Sequence, residues 1–321
     1  MTQLPSLTSA SGDLNVPGGD RKARGANRRR RGRKRGDVRG LLLVAPALVL
    51  LAAIFVVPLG FSVWMSLSDW PLLGDHSFTG LTNYARLLHD PQIRQALLFT
   101  LEFAVIMTPI VFFGGLALAT LVQHNRRGIG IIRTGIFAPV AIGFASASYL
   151  WYALTDPSTG VFDRVLVDLH LTANPVNWLL RPSLALLLVL IVTVWKIAGF
   201  AMIALMNGLQ SIPADIEDAA RVDGTGRFRM LWRIKLPMMK DSIAFTLTFT
   251  AIGAFLTFDQ FYILTGGGPN NQTITAVYRI YNLAFTQADL GYAAAVSMVF
   301  LVLLLIVTSA EVFLLRRDSD S

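Results

Sequence analysis

Residues 211–237 read SIPADIEDAARVDGTGRFRMLWRIKLP, a polar stretch that lies between two strongly apolar ones. The apolar run before it covers residues 184–206, and the run after it covers residues 243–264. A helix of about 20 residues crosses a hydrocarbon layer of about 30 Å, so each run is long enough to span a membrane. Connections as long as this one are uncommon and tend to carry function, so we expect the 211–237 loop to be functional.

The 211–237 loop has the residue pattern of two short helices separated by glycines. Ser211 is placed to cap the first helix, and Pro213 suits a first turn, where a missing N–H costs nothing. Gly224 and Gly226 are expected to end that helix, because glycine tolerates the left-handed conformation of a C-terminal cap. An apolar stripe at helical spacing then predicts the second helix, and its members are Phe228, Leu231 and Trp232.

The spacing of these residues resembles the EAA loop of bacterial ABC-importer permeases, and the flanking IP and VDG fit the carbohydrate-importer branch. In that family the loop is the coupling helix that docks into a cleft on a cytoplasmic ATPase. The resemblance therefore implies a coupling role for eight residues: Asp218, Ala219, Ala220, Asp223, Gly224, Ile234, Leu236 and Pro237. Asp218 stands where the family usually has glutamate, so the charge is kept on a side chain one methylene shorter.

The composition is that of an integral membrane protein, with 54% hydrophobic residues and only 15% charged residues among 321. No cysteine is present, which excludes disulfides, thiolate metal sites and thiol catalysis. The first forty residues hold eleven of the 28 lysines and arginines, and the rest of the chain has 17 basic and 17 acidic residues. We interpret residues 1–39 as a disordered cytoplasmic tail that contacts anionic lipid; a nucleic-acid arm is the alternative, and a cleaved signal peptide is not expected.

Hydropathy predicts an all-α membrane protein with six transmembrane helices in a domain over residues 40–318. The predicted spans cover residues 41–67, 96–122, 135–154, 184–206, 243–264 and 292–315. Twenty-two basic residues fall on one side of this arrangement and five on the other, which places both termini and the 211–237 loop in the cytoplasm. The resemblance implies the fold of ABC type I importer permeases.

A substrate path is expected along one face of spans 4 and 5, where hydroxyl and small side chains recur at helical spacing. From the residues alone, ordinary helix packing explains these positions at least as well. The resemblance to maltose-type permeases favours sugar contacts, and it selects Thr193, Ile197, Phe200, Thr250, Gly253, Ala254 and Thr257. Lys196, deep in span 4, either pairs with an acid or lines the path, and the sequence leaves both open.

The segment LTGGGP at residues 264–269 and the triplet Gly291-Tyr292-Ala293 resemble the larger maltose-permease chain without its extra periplasmic domain. The glycerol-phosphate and multiple-sugar permeases are closer in shape. The resemblance implies a subunit of the bacterial inner membrane, with a homologous second permease, two ABC ATPases and an extracytoplasmic solute-binding protein as partners. It implies no catalytic residue, metal or cofactor in this chain, because ATP and Mg would be bound by the ATPase.

A membrane enzyme and a stand-alone channel or carrier are the two other function classes for a chain of this composition. A membrane enzyme would need clustered acids or histidines, but His76, His89, His124 and His170 are predicted in separate loops. A stand-alone ion channel or secondary carrier would not need a cytoplasmic two-helix loop, and capture of an ATPase would distinguish it from an importer subunit. The predicted function is import of a sugar or oligosaccharide, with glycerol phosphate or another polyol as the alternative.

Overall fold

The computed structural model describes residues 43–124 and 127–317, and this part of the chain is mostly helical. The predictions for residues 1–39 lie outside the described residues. By compactness the chain divides into two units, which end and begin at Phe61 and Ser62. The described residues also contain a short antiparallel ribbon, β1 (Ser68–Asp69) and β2 (Ser77–Phe78), with Ser68 opposite Phe78, which leaves the predicted all-α class unchanged.

The helices follow one another with few long connections. The first five are α1 (Leu43–Ser66, with a π turn at Ala52–Val56), α2 (Thr82–His89), α3 (Pro91–Val122), α4 (Ile129–Phe137, continued by a 3₁₀ turn at Ala138–Ala141) and α5 (Phe144–Leu154). The next are α6 (Val161–Asp168), α7 (Pro182–Gln210), α8 (Ala214–Val222), α9 (Arg227–Met230, with a π turn at Leu231–Lys235) and α10 (Leu236–Met238). The last are α11 (Lys240–Phe255), a π turn at Phe261–Thr265, α12 (Ala276–Tyr281, with a π turn at Asn282–Thr286) and α13 (Leu290–Arg317).

Four of these helices, α1, α3, α7 and α13, are long and apolar enough to cross a membrane, and they match predicted spans 1, 2, 4 and 6. α3 begins five residues before the predicted start at residue 96, because Asp90 caps it. The Asp90 carboxylate accepts hydrogen bonds from the N–H groups of Gln92 at 2.8 Å and Ile93 at 3.3 Å, and Pro91 occupies the first turn.

Predicted spans 3 and 5 differ from straight helices. The span expected at residues 135–154 is a pair of helices bent by 100°, with Pro139 in the 3₁₀ turn and Gly143 at the start of α5. Proline lacks the N–H that continues a helix, which favours a break here. The span expected at 243–264 is helical only to Phe255, and the chain then turns before the π turn at Phe261–Thr265. Among the described residues, four helices are therefore long and apolar enough to cross a membrane, or five if the bent pair counts as one span.

Close approach of α3 and α7 forms the centre of the second unit. A Cβ built on Gly115 of α3 would lie 2.6 Å from the Cβ of Ala201 on α7, so glycine lets the two helices pack this tightly. α11 contacts both helices. A buried core cluster with members on α3, α7 and α11 includes Phe103 and Phe261, whose rings lie edge to face with centroids 5.0 Å apart.

Candidate functional site

The 211–237 loop starts differently from its sequence prediction. The hydroxyl of Ser211 donates to the carbonyl of Gly208 at 2.8 Å and does not cap α8. Pro213 instead occupies the N-cap position of α8, with extended backbone angles and no side-chain cap. The predicted helix is confirmed, but its start follows from the proline and from Asp215 and Glu217, whose charges lie in the first turn where they favour the helix dipole.

The C-terminus of α8 confirms the predicted role of Gly224. Its φ of +72° is left-handed. The N–H of Gly224 donates to the carbonyl of Arg221 at 3.0 Å, and the N–H of Thr225 donates to that of Ala220 at 2.9 Å. These two bonds form a Schellman cap, which satisfies carbonyls that the helix end leaves free. Gly226 does not end α8 as expected, because its backbone is extended and it precedes α9.

An ion pair connects the two helices of the loop. Glu217 of α8 lies 2.8 Å from the Nζ atom of Lys235 in the π turn after α9, and the two side chains are 19% and 8% exposed. Arg221 adds a second contact to Glu217 at 3.5 Å. A lysine this buried requires its partner, so the pair holds α8 against α9. The sequence prediction missed it, although a lone charge between Ile234 and Leu236 was the available signal.

The loop is also packed onto the ends of the membrane helices. Leu231 and Leu236 pack against a buried cluster that contains Leu205 and Leu209 of α7 and Met239 before α11. Gly208 of α7 lies so close to α11 that a Cβ there would be 2.6 Å from the hydroxyl of Ser242. The second half of the loop is therefore packed against the end of α7 and the residue before α11.

The eight residues predicted for coupling do not share one surface. Asp218, Ala219, Asp223, Gly224 and Pro237 are exposed, whereas Ala220 is buried and Ile234 and Leu236 are half-buried. The exposed face of α8 follows the spacing i, i+3, i+4, i+7 and consists of Asp215, Asp218, Ala219 and Val222. Asp218 forms an ion pair with Arg221 at 2.9 Å, and its side chain is 68% exposed. The aromatic pair of the second helix, Phe228 and Trp232, is exposed as well, with ring centroids 5.8 Å apart.

Comparison with known proteins assigns the chain to a family. Residues 40–317 match the family described as "Binding-protein-dependent transport system inner membrane component". The chain belongs to this family. The resemblance of the 211–237 loop to ABC-importer permeases is thereby confirmed, and the chain is a multi-pass membrane component of a transport system that depends on a binding protein.

Relatives of this transport component are permease proteins. It is 35% identical over 259 residues to the trehalose transport system permease protein SugA of Mycobacterium tuberculosis, across 80% of this chain and 82% of that protein. It is 34% identical over 274 residues to the sn-glycerol-3-phosphate transport system permease protein UgpA of Salmonella choleraesuis, across 84% and 91%. A chain of a bacterial ABC transporter involved in the import of alginate has a TM-score of 0.77 at 22% identity, across 89% and 99%, which shows that the fold is shared.

The predicted substrate-path residues of the transport component are mostly packed in this structure. Thr193, Thr250 and Thr257 are buried, and each hydroxyl donates to a carbonyl of its own helix segment, at 2.7, 2.8 and 2.9 Å. Ala254 belongs to the core, and Ile197 packs against it. Gly253 and Phe200 are half-buried, and the Phe200 ring lies 4.2 Å from that of Phe249 on α11. The seven positions thus lie along α7, α11 and the turn after α11.

The Gly291-Tyr292 motif of the transport component joins α13 to the start of α3. The Tyr292 hydroxyl donates to Asp90 at 2.9 Å, and Arg86 lies over the Tyr292 ring while pairing with Asp289 at 2.7 Å. Burial alone would raise the pKa of Asp90, but hydrogen bonds from Tyr292 and from the backbone N–H groups that it caps lower that pKa overall. The motif therefore holds the ends of these helices together.

Proposed function

We propose that this chain is the permease subunit of an ATP-driven, binding-protein-dependent importer for a sugar or oligosaccharide. The observation that supports the proposal most directly is the 211–237 loop, whose two helices are joined by the Glu217–Lys235 ion pair and packed onto α7 and α11. A loop built in this way can receive a mechanical displacement and pass it to membrane helices. Membership in the transport family supports the same role.

The proposed arrangement has six membrane crossings, with both termini and the 211–237 loop in the cytoplasm. Four long helices and the bent α4–α5 pair would supply five crossings. α11 would supply the sixth, because its 16 residues extend roughly 24 Å and the π turn beyond it continues in the same apolar stretch. The excess of basic residues on one side supports this orientation.

The proposed partners are a homologous second permease, two ABC ATPases and an extracytoplasmic solute-binding protein. ATP and Mg would be bound by the ATPases and not by this chain. The exposed face of α8, with Val222 and Asp218, would enter a cleft on the ATPase. Closure of the ATPases would displace α8, and the Glu217–Lys235 pair would transfer that displacement to α9 and to the membrane helices, so that the two permeases alternate between inward-open and outward-open states.

The proposed substrate path follows Thr193, Ile197 and Phe200 on α7 and Thr250, Gly253, Ala254 and Thr257 on and after α11. Hydroxyl groups that donate within their own helix still accept hydrogen bonds, and an aromatic ring offers a face for a sugar ring. These groups suit a neutral polyhydroxy solute. SugA is named for trehalose, and UgpA for sn-glycerol 3-phosphate, which is the alternative substrate.

The sidedness of the loop is tested with single cysteines, because the chain contains none. Val222 in α8 and Leu73 between β1 and β2 are both 88% exposed, so Val222→Cys and Leu73→Cys form a matched pair. In intact cells that express the whole transporter, a membrane-impermeant maleimide should label the Leu73→Cys variant and spare the Val222→Cys variant. Labelling of position 222 from outside would overturn the proposed orientation.

The ATPase contact is tested with the same two variants. A bifunctional thiol-to-amine cross-linker should join position 222, but not position 73, to an ATPase subunit. A transporter that purifies with full transport activity and without any ATPase would favour the stand-alone carrier. The substrate class is tested by competition for uptake of radiolabelled trehalose. Unlabelled trehalose or maltose should inhibit this uptake, and sn-glycerol 3-phosphate should not.

A further inference from the structure

Lys196 lies near the middle of α7, is 5% exposed and is flanked by apolar residues. A charge in this position is costly, and the expected compensation is an acidic partner. Among the described residues, no carboxylate lies within 4.0 Å of its Nζ atom. The charge must therefore be compensated by groups of another kind.

Backbone carbonyls supply this compensation. The Nζ atom donates to the carbonyl of Ile142 at 2.5 Å, and the carbonyls of Val140 and Pro139 lie at 3.4 and 3.5 Å. The ammonium group also lies 4.3 Å from the ring centroid of Phe144, where a cation is attracted by the π face. Pro139, Val140 and Ile142 belong to the break between α4 and α5, and Phe144 is the first residue of α5.

The break creates a problem that Lys196 is suited to solve. A helix end leaves carbonyls without intrahelical partners, and within a membrane no bulk water is present to bind them. The end of a helix also carries partial negative charge, which favours a cation. An ammonium group has three donors and can therefore bind several carbonyls at once.

Gly199 adds a second observation on the same face of α7, three residues after Lys196. A Cβ built on Gly199 would lie 2.5 Å from the carbonyl oxygen of Ile136 and 2.8 Å from the Cα of Phe137. Only glycine lets the backbone before the break come this close to α7. Gly199 thus contacts the end of α4, and Lys196 binds the carbonyls of the break that follows it.

We propose that Lys196 is a positioning residue that, together with Gly199, fixes the α4–α5 break onto α7. α7 continues through Ser211 to Pro213 into α8, so the break would move with the helix that leads to the 211–237 loop. The consequence for transport rests on the proposed function. The attachment of the break to α7 does not, and it is tested separately.

The attachment is tested with a cysteine reporter. Ala147 of α5 is completely buried, so Ala147→Cys should react slowly with maleimide in the purified complex. Lys196→Met keeps the side-chain length without charge or donors, and it should speed this labelling by about tenfold or more, because a charge-assisted hydrogen bond is lost. Lys196→Arg should leave the labelling slow.

A second pair of variants covers the case in which Lys196→Met does not accumulate. Gly199→Ala should also speed labelling of the Ala147→Cys reporter, whereas Gly114→Ala should not, since a Cβ at Gly114 meets nothing within 4 Å. In uptake assays Lys196→Met should lower the maximal rate and leave KM unchanged. A raised KM with slow labelling would make Lys196 a substrate contact and overturn the proposal, as would slow labelling in both Lys196→Met and Gly199→Ala. A complex that transports no sugar would refute the proposed function alone, because the labelling result does not depend on transport.

Discussion

A serine substitution at Gly224 of the 211–237 loop should weaken docking to the proposed ATPase partner, whereas one at Gly226 should not. Gly224 has a left-handed φ of +72°, while Gly226 has φ of −67° and occupies the N-cap position of α9. A Cβ at either position would meet nothing within 4 Å, so steric clash is absent from both. Only the backbone conformation distinguishes them.

The expected magnitude follows from that conformation. An L-residue in the left-handed region costs about 1–2 kcal/mol, so Gly224→Ser strains the cap of α8 by that amount. Serine is a preferred N-cap residue, so Gly226→Ser should be neutral or slightly stabilising. If the free loop relaxes to relieve this strain, docking to the proposed ATPase partner must restore the cap of α8. The affinity for that partner then falls by the strain energy, and 1–2 kcal/mol corresponds to a decrease of about 5–30-fold. Gly224→Asn should weaken docking less, because asparagine tolerates the left-handed conformation better.

The assay measures binding of the proposed ATPase partner, purified, to the permease in nanodiscs, with membrane insertion quantified for each variant. Gly224→Ser should insert normally, bind the ATPase more weakly and lower uptake in proportion. The reasoning is refuted if Gly224→Ser binds like the unmodified chain, or if Gly226→Ser weakens binding by as much as Gly224→Ser.

Three further predictions concern packing and charge. Lys235→Met should destabilise the protein by about 2 kcal/mol, which is less than for a fully buried pair because Glu217 is 19% exposed. A double-mutant cycle with Glu217→Gln, measured by thermal unfolding, should show an interaction energy between the two side chains. Gly115→Val should cost about 1–3 kcal/mol by overpacking. Gly114→Ala, whose Cβ meets nothing within 4 Å, should be neutral or slightly stabilising, and melting temperatures in one detergent check both variants. The pKa of Asp90 is lowered in the folded chain. Its contribution to the free energy of unfolding is therefore complete above the unfolded pKa of about 3.9 and is lost as the pH falls through the lower folded pKa. Asp90→Asn should reduce this pH dependence when unfolding is measured between about pH 2 and pH 6.

Much of the fold follows from local pattern. Spans 1, 2, 4 and 6 are long apolar runs, and a helix satisfies every backbone group of such a run within the run itself, as lipid requires. The Schellman cap at Gly224 also follows from local chemistry, since glycine adopts the left-handed angle at little cost. The resemblance to ABC-importer permeases rests on the spacing between Asp218 and Pro237, which is a property of the sequence alone, and the family match over residues 40–317 confirms it.

The interrupted spans could not be predicted from hydropathy. A broken helix and a continuous one have the same mean hydropathy, and the difference lies in which groups satisfy the freed carbonyls. For predicted span 3, the ammonium group of Lys196 binds carbonyls at the break from 54 to 57 residues away in sequence. After α11, the carbonyl of Thr257 is bound by the hydroxyl of Thr275 at 3.0 Å.

The sequence by itself therefore determined the membrane class, the long spans and the position of the loop, because these depend on residue type and on short-range periodicity. The tertiary structure alone decided that Ala220 is buried and Ala219 exposed, that Glu217 pairs with Lys235, and that Lys196 binds carbonyls and not an acid. Each of these outcomes depends on which segments lie next to each other in three dimensions. Side-chain charge and backbone groups are satisfied there by partners distant in sequence, and a local pattern contains no record of those partners.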